Sequence, residues 1–319
     1  PENIIYGDLP DPSPGAGEVL VRVGAASVNP IDTYVRGGLV AAELPVPFVV
    51  GSDFAGTVEA VGEGVTHWQP GDNVWGANQG GHGRQGTAAE LACVGAEWLH
   101  ATPEGISDEE AAAIALVGIT AHIGLVLKAG VQEGETVFVN GGAGGVGSMV
   151  VQIAKANGAR VIATAGSDDR VAKAAELGAD EVINYQTEDV ATCVKALAPQ
   201  GVNVLWETRR ETDLDWAVSL LAQRGRLIVM AGREARPVLP VGPLYVKDCS
   251  LHGFAMFNYP AAEQRQCGDD LNCWLAEAKL HANIDRVLPL SETAEAHRLQ
   301  EANTIGLAGT LAGKIVLKP

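Results

Sequence analysis

Cysteines are few in this sequence and lie far apart. They stand at Cys93, Cys193, Cys249, Cys267 and Cys273, and no two form a Cys-x-x-Cys pair. This spacing fits neither a disulfide framework nor a zinc finger. Cys267 and Cys273 could form a bridge, but free thiols in a reducing cytoplasm are the favoured interpretation.

Positive charge is also scarce. The chain has 22 Lys and Arg against 39 Asp and Glu, which gives a formal net charge of −17 at pH 7. Such a surface repels a phosphate polyanion, so nucleic acid is excluded as a partner. The phosphates of a bound nucleotide would have to be held by local backbone amides and single cations.

Long apolar runs are missing as well. No 18 consecutive residues are apolar and no charged-then-apolar leader opens the chain, so we expect no membrane segment and a cytoplasmic location. There is no low-complexity tract. The 319 residues, 47% of them hydrophobic and 19% charged, suit two globular domains.

The first 112 residues differ in texture from those that follow. Short alternating runs at 18–25, 54–61, 73–77 and 88–94, separated by turns rich in glycine and proline, predict a compact β-barrel. Ser107 and the acidic residues after it predict the start of a helix through 111–115.

From residue 120 to about 251, helices and strands alternate. Strands are predicted at 136–140, 160–164, 181–184, 202–206, 226–230 and 249–253. This βα alternation predicts an α/β fold with a doubly wound parallel sheet. A last strand at 313–318 is expected to return to the first domain.

The strongest motif is the glycine loop, Gly141-Gly-Ala-Gly144-Gly145-Val146-Gly147, which stands between an apolar strand and an amphipathic helix. A dinucleotide fingerprint requires this context. Glycine lets the backbone approach a pyrophosphate, and a helix opening near Gly145 presents free N–H groups to the anion. A glycine turn that binds nothing is the alternative, but strand, turn, helix and second strand all agree with a dinucleotide site.

The choice of cofactor depends on the end of the second strand of this unit. An NAD enzyme usually has Asp or Glu there, whereas this chain has Ala165-Gly166-Ser167, with Arg170 one helical turn later. Ser167 could donate to a 2′-phosphate and Arg170 could pair with it. Arg170 could equally be a solvated surface residue. We predict NADPH.

With these pieces placed, the sequence resembles the zinc-free quinone oxidoreductase and ζ-crystallin branch of the medium-chain dehydrogenases and reductases. Besides the glycine loop, the similar stretches are 26–37, 51–56, 118–121 and 177–185. The resemblance implies a GroES-like β-barrel domain (1–115) plus a Rossmann doubly wound parallel sheet domain (116–258), with 259–319 returning to the first domain and the active site in the cleft between the domains. It also implies a homodimer that uses NADPH to reduce quinones or activated alkenes.

Zinc is not expected. Zinc alcohol dehydrogenases of the same superfamily carry a Cys near position 29–32 and a His-Glu pair after the glycine that aligns with Gly51. This chain has Asn29-Pro-Ile-Asp32 and Ser52-Asp53, which offer no thiolate or imidazole. The acceptor must therefore be electrophilic already, as a quinone or a carbonyl-conjugated alkene is.

The resemblance also assigns roles to single residues. It implies that Asn29 and Tyr34 line the substrate side and that either could stabilise the developing oxyanion; a turn residue and a packing aromatic are the alternatives. Further cofactor contacts are implied for a set of residues in both predicted domains: Thr120, Tyr185, Gly232, Phe254, Ala255 and Lys314. An ordinary N-cap is the alternative for Thr120, and a terminal surface lysine for Lys314.

Two departures from the family remain. The chain starts at Pro1-Glu2 without the family's first strand, which suggests a truncated start. The usual acidic-x-Val-Gly-Gly loop reads Glu207-Thr-Arg209-Arg210-Glu, and its arginines could add phosphate contacts or solvate the loop. The acceptor is expected to depend on the irregular segments 35–44, 78–84 and 254–260. An enoyl thioester reductase, or an NADPH-binding protein with little catalysis, are the alternative functions.

Overall fold

The computed structural model describes residues 1–40 and 43–319. The described chain divides into two compact units, residues 1–119 with 259–319, and residues 120–258. Its helices, α1 to α9, are Pro30–Arg36, Asp108–His122, Gly145–Ala156, Asp168–Glu176, Val190–Leu197, Leu214–Leu220, Val241–Val246, Ala261–Ala276 and Thr293–Thr304. Its strands, β1 to β13, are Glu18–Val28, Asp53–Val61, Asn73–Gly76, Leu91–Gly95, Leu99–Ala101, Thr136–Asn140, Arg160–Ala165, Glu181–Asn184, Val202–Glu207, Leu221–Val229, Ser250–Gly253, Ile284–Pro289 and Lys314–Lys318.

The first unit is built on a β-sheet in the order β12-β13-β1-β2-β3-β5, with β4 also paired to β1. Val21, Phe54, Leu99 and Ile315, from four different strands, share its hydrophobic core. Strand β13 pairs antiparallel with β1, so that Ile315 lies opposite Val28. The predicted return of the last strand to this unit is confirmed.

The second unit is a six-stranded sheet in the order β11-β10-β9-β6-β7-β8, and all its pairs are parallel. This is the order of a doubly wound nucleotide-binding sheet. Phe138, Ile162, Leu205 and Leu227 form one buried row across four adjacent strands. Each contributes about 1.5–3 kcal/mol through burial. The predicted fold class is confirmed.

Three differences from the sequence prediction stand out. Helix α2 runs from Asp108 to His122 and continues as a π-helical turn, Ile123–Lys128, so the predicted boundary after residue 115 falls inside it. The predicted strand 88–94 is shorter, Leu91–Gly95. Helix α1 was not predicted, although Pro30 occupies its first turn, where the missing N–H costs nothing.

The stretch Asp108–Lys128 is long and apolar enough to cross a membrane by length and average hydropathy. It contains no uninterrupted apolar run of 18 residues, which is why inspection of the sequence passes over it. In the structure 83% of its apolar window is buried within the protein. The core helix of a soluble protein has the same properties.

An ion pair fixes the start of β6 to β10 in the second unit. Arg226 donates from Nη1 and Nη2 to the two carboxylate oxygens of Glu135, at 2.7 and 2.6 Å, and from Nε to the carbonyl of Ala129 at 3.0 Å. Burial raises the pKa of Glu135, but the hydrogen bonds from Arg226 and Gln132 outweigh it, so the net pKa is lowered. The ionised carboxylate therefore stabilises the folded state.

We expect Glu135→Gln to lower the free energy of unfolding by about 1.5–3 kcal/mol at pH 7, because the bidentate, charge-assisted contact with Arg226 is lost. Since the folded pKa is the lower one, this contribution is complete above the ordinary value of 4.5 and disappears as the pH falls through the folded value. Urea unfolding of both proteins across this range measures it. Glu176→Gln, which breaks an exposed pair with Lys173, serves as the control and should change stability by less than about 0.5 kcal/mol. A difference that persists unchanged at low pH would contradict the ionic origin.

Candidate cofactor and substrate sites

The glycine loop forms a tight corner between β6 and α3. Gly141 has a φ of 91°, in the left-handed region, and α3 begins at Gly145, as predicted. A Cβ on Gly147 would overlap the carbonyl oxygen of Gly141. The position therefore admits only glycine.

The same loop leaves its outer side open. Gly144 is exposed, and a Cβ there would meet only the Gly141 carbonyl oxygen, at 3.5 Å. The first N–H groups of the 12-residue helix α3 begin directly after it. Backbone amides at a helix N-terminus with no side chain over them fit a pyrophosphate. Gly141, Gly144, Gly145, Val146 and Gly147 are thus in one corner, and their cofactor contacts stay predictions.

The end of β7 brings the predicted 2′-phosphate residues together. Ser167 is exposed at the N-cap of α4, and Arg170 lies half-buried in the first turn of that helix. A Cβ on Gly166 would overlap the Tyr185 hydroxyl, so glycine at 166 is what lets Tyr185 lie beside Ser167. The grouping of Ser167, Arg170 and Tyr185 agrees with the predicted arrangement, and their role stays a prediction.

A cleft of about 520 Å³ opens at the carboxyl ends of the strands in this unit. Gly141, Tyr185, Asp189, Thr208 and Trp216 contribute to its walls. Strand β6 lies between β9 and β7. The order of strands reverses at this point, which is where ligands of doubly wound sheets bind.

The unusual 207–211 loop is held by a buried carboxylate. The Glu207 side chain is 0% exposed and accepts from Asn140 Nδ2 at 3.0 and 3.1 Å. Arg209 donates to it from its backbone N–H at 2.8 Å and from Nη2 at 2.7 Å, and its guanidinium lies over the Trp216 ring at 4.7 Å. Arg209 is therefore held by its own loop and by Trp216 while its side chain stays 45% exposed, and both roles considered for the arginines of this loop stay predictions. No motif in the sequence signals this pairing.

Other predicted cofactor residues lie at several places in the second unit. Gly232 has a φ of 79° and leaves no room for a Cβ beside the Arg210 carbonyl. Phe254 meets Trp206 edge-on with 6.3 Å between the ring centroids, and Ala255 follows it as an exposed residue outside any helix or strand. Thr120 is buried in the last turn of α2, so the N-cap alternative is wrong for it.

Asn29 and Lys314 meet in the first unit. Asn29 is 0% exposed; its Nδ2 donates to Asp53 Oδ2 at 2.8 Å, and its Oδ1 accepts from Lys314 Nζ. Lys314 is only 5% exposed, so the surface-lysine alternative is wrong. Asn29 is the N-cap of α1, which also carries the half-buried Tyr34. A direct contact of the Asn29 amide with substrate is not favoured by this burial, whereas Tyr34 keeps the role predicted for it.

Two further predictions concern the acceptor and metal sites. Ala41 and Ala42, within the 35–44 segment expected to shape the acceptor site, lie outside the described residues. Among residues 1–40 and 43–319, no group of three or more His, Cys, Asp or Glu side chains could hold a metal ion. The five cysteines are free thiols, as the favoured interpretation of the sequence had it.

Comparison with known proteins agrees with this geometry. Residues 15–104 match the alcohol dehydrogenase GroES-like domain family, and residues 145–269 match the zinc-binding dehydrogenase family. The human quinone oxidoreductase is 31% identical over 97% of this chain and 92% of its own, and that of Pseudomonas aeruginosa PAO1 is 35% identical over 93% and 91%. A 2-haloacrylate reductase of Burkholderia sp. is 30% identical over 100% of this chain and 96% of its own.

Solved structures are equally similar. An NAD-dependent alcohol dehydrogenase superposes with a TM-score of 0.86 at 35% identity, over 98% of this chain and 95% of its own. A mycobacterial protein complexed with NADPH superposes with a TM-score of 0.84 at 32% identity, over 98% and 95%. The chain belongs to the medium-chain dehydrogenases and reductases, in their quinone oxidoreductase branch. It is an NAD(P)H-dependent oxidoreductase.

We expect Gly147→Ala to weaken NADPH binding, because its Cβ must push the Gly141 carbonyl out of place. Overpacking of this kind costs about 1–3 kcal/mol, or roughly 5- to 150-fold in Kd if the loop bears the strain. Fluorescence titration with NADPH measures the change. Gly242→Ala is the matched control, because a Cβ there meets nothing within 4 Å. Binding by Gly147→Ala as tight as that of the wild type would contradict a pyrophosphate site at this corner.

Proposed function

We propose that this chain is an NADPH-dependent, zinc-independent reductase of quinones or α,β-unsaturated carbonyl compounds. The observation that carries the proposal is the glycine corner, with its exposed Gly144 and the α3 amides, in a chain whose relatives include quinone oxidoreductases. The resemblance of another relative, named as a 2-haloacrylate reductase, supports activated alkenes as a second class of acceptor.

The preference for NADPH over NADH rests on the corner of Ser167, Arg170 and Tyr185. A hydroxyl and a guanidinium suit a 2′-phosphate, and no carboxylate occupies the strand end where an NAD enzyme would bond the ribose. Asp168 points elsewhere, because its Oδ1 accepts from Asn184 Nδ2 at 2.9 Å. One solved neighbour contains NADPH and another is named NAD-dependent, so this corner must decide between the cofactors.

When bound, the nicotinamide supplies the hydride. The residues of this chain then have separate tasks. The amides of Gly145 and its neighbours hold the pyrophosphate, and the Tyr34 hydroxyl donates a hydrogen bond to the acceptor oxygen that gains charge.

The donor set at the predicted positions supports zinc independence. Ser52 donates its hydroxyl to Asp32, and Asp53 accepts from Ser27 and Asn29, so these groups are engaged with one another. They also lack the thiolate and imidazole that zinc takes in this superfamily. An acceptor that is electrophilic by itself needs no Lewis acid.

An enoyl thioester reductase is the second candidate, since the chemistry is the same. It would have to accommodate an anionic coenzyme A tail, and the net charge of −17 opposes this. We also propose a cytoplasmic location, which agrees with the free thiols of the described chain.

We expect the purified protein to oxidise NADPH with 1,4-benzoquinone, to prefer NADPH over NADH, and to be indifferent to added Zn²⁺ or a chelator. Arg170→Ala should reduce the preference for NADPH by roughly 10-fold or more, because a charge-assisted contact to the 2′-phosphate is lost. The ratio of kcat/KM for the two cofactors measures it. Arg298→Ala, which removes an exposed arginine paired with Glu295, is the control.

Each other outcome has a defined meaning. A preference for NADH would refute the 2′-phosphate assignment. Binding of NADPH without turnover of any quinone or enone would refute the proposed reaction. Enoyl thioesters would then be tested, and an NADPH-binding role without catalysis would remain if they also fail.

We further propose a homodimer joined at the β11 edge of the second unit. Strand β11 ends the sheet, and α7 before it exposes Val241, Tyr245 and Val246 at 59, 71 and 66%. Within residues 1–40 and 43–319, β11 pairs with β10 alone, and an open strand edge beside exposed apolar side chains favours pairing with a second copy.

The solution mass should therefore be twice that of the chain by light scattering, and Tyr245→Asp should shift it toward the monomer, because a buried charge would oppose the interface. Val287→Asp, on the β12 edge of the other sheet, is the control. A dimer that survives Tyr245→Asp but not Val287→Asp would place the interface elsewhere.

A further inference from the structure

Lys314 is a buried cation enclosed by oxygen acceptors of the first unit. An ammonium has three N–H donors. Lys314 Nζ donates to the Val28 carbonyl at 2.9 Å and to Asn29 Oδ1, and it lies 3.7 Å from Asp53 Oδ2. Because Lys314 is only 5% exposed and its ammonium is directed at these three acceptors, its burial does not favour the contact with the cofactor that the resemblance predicted for this residue.

The contacts of Lys314 distinguish the two ends of the Asn29 amide. Its Oδ1 faces the ammonium, and its Nδ2 faces the Asp53 carboxylate at 2.8 Å. Reversing the amide would place NH2 against NH3⁺ and oxygen against carboxylate. The amide therefore has one orientation, which is set by one charge at each end.

Asn29 in turn anchors α1. Its backbone N–H donates to Asp32 Oδ2 at 2.7 Å, and Asp32 Oδ1 accepts from the Ser52 hydroxyl. Helix α1 has only seven residues, too few to be stable without tertiary contacts. At its other end Arg36 pairs with Glu301 and lies 2.9 Å from His297 Nδ1, both on α9. Tyr34 is thus on a short helix that is fixed at both ends.

The group is costly to bury. Burial raises the pKa of Asp32 to about 7, raises that of Asp53 and lowers that of Lys314. Asp53 Oδ1 is buried without a hydrogen-bond partner among the described residues. Apolar side chains of similar volume would often serve stability as well or better. What the charges of Asp32, Asp53 and Lys314 contribute is a fixed orientation of Asn29 and α1.

We infer that Lys314 is a positioning residue, which fixes the Asn29 amide and, through the N-terminus of α1, the placement of Tyr34 toward the substrate. The inference rests on the proposed role of Tyr34. It assigns Lys314 to the substrate side of the reaction and removes it from the cofactor contacts.

The test is Lys314→Met, measured for quinone reduction and for NADPH binding. We expect kcat/KM for the quinone to fall by roughly 100-fold, since displacement of a group by about 1 Å costs this much, and the Kd for NADPH to change by less than about threefold. Lys318→Met is the matched control: it lies at the other end of β13, is half-exposed and pairs with Glu109, and it should behave as the wild type.

Lys314→Met leaves Asp53 without its counter-charge, so the double variant Lys314→Met/Asp53→Asn accompanies it. This variant should recover much of the thermal stability and still show the loss in kcat/KM, because nothing restrains Asn29 Oδ1. Hydrogen exchange of residues 30–36 should be faster than in the wild type, whereas that of α9 should be unchanged.

Two results would overturn the inference. A rise in the Kd for NADPH that matches the fall in kcat/KM would make Lys314 a cofactor residue. Recovery of kcat/KM together with stability in the double variant would make its role structural only. Measuring hydrogen exchange in 30–36 requires no turnover. A wild-type protein that reduces no acceptor would refute the proposed function, and the exchange rates would still test whether Lys314 positions α1.

Discussion

The pairing of β13 with β1 is the constraint on which the first unit depends. It brings Lys314, at the start of β13, beside Val28 at the end of β1 and the Asn29 that follows it. A lysine that enters the sheet at this register is buried, and a buried ammonium needs oxygen acceptors on every side. The Val28 carbonyl, Asn29 and Asp53 supply them. The geometry of α1 is then a consequence, because the residue that caps the helix is the residue that holds the lysine.

The second unit depends on backbone contact in a comparable way. Gly147 lies so close to the Gly141 carbonyl that a single methyl group would separate strand and helix. Gly166 has the same relation to Tyr185, one strand further along the sheet. At both places the absence of a side chain positions something else: the α3 amides in one case and a phenol in the other. The cofactor corner is therefore set by which residues lack a Cβ as much as by which residues carry a charge.

Much of this could be predicted from the sequence, and the limits have physical causes. The alternation of apolar strands and helices, the glycine loop and the return of β13 are local patterns, so they identified both sheets and the start of α3 at Gly145. Helix α1 was missed because a seven-residue helix owes its stability to Asp32, Ser52 and α9, which no local pattern reveals. The sequence predicts the helix that begins near Ser107 only through 111–115, so Thr120 reads as the start of another helix, whereas α2 continues without a break to His122. The burial of Lys314 depends on partners in other strands. The pairing of Arg209 with Glu207 depends on Asn140 in β6 and on the ring of Trp216, seven residues after Arg209.

The strongly acidic composition raises the question of how this chain could hold a phosphorylated cofactor. The carboxylates around the cleft explain how it can, because each of them accepts a hydrogen bond from a neighbouring group. Asp189 caps α5 by accepting from the Thr192 N–H at 2.8 Å, and Glu188 accepts from the Asn184 N–H at the same distance. Glu207 is enclosed by Asn140 and Arg209. Their charge is thus partly compensated where a phosphate would approach, while charges on the rest of the surface are screened over about 10 Å. Local pairing thus offsets the acidic net charge around the cleft itself, so an acidic protein and an anionic cofactor are compatible here, although the same net charge opposes an anionic tail that extends beyond the cleft.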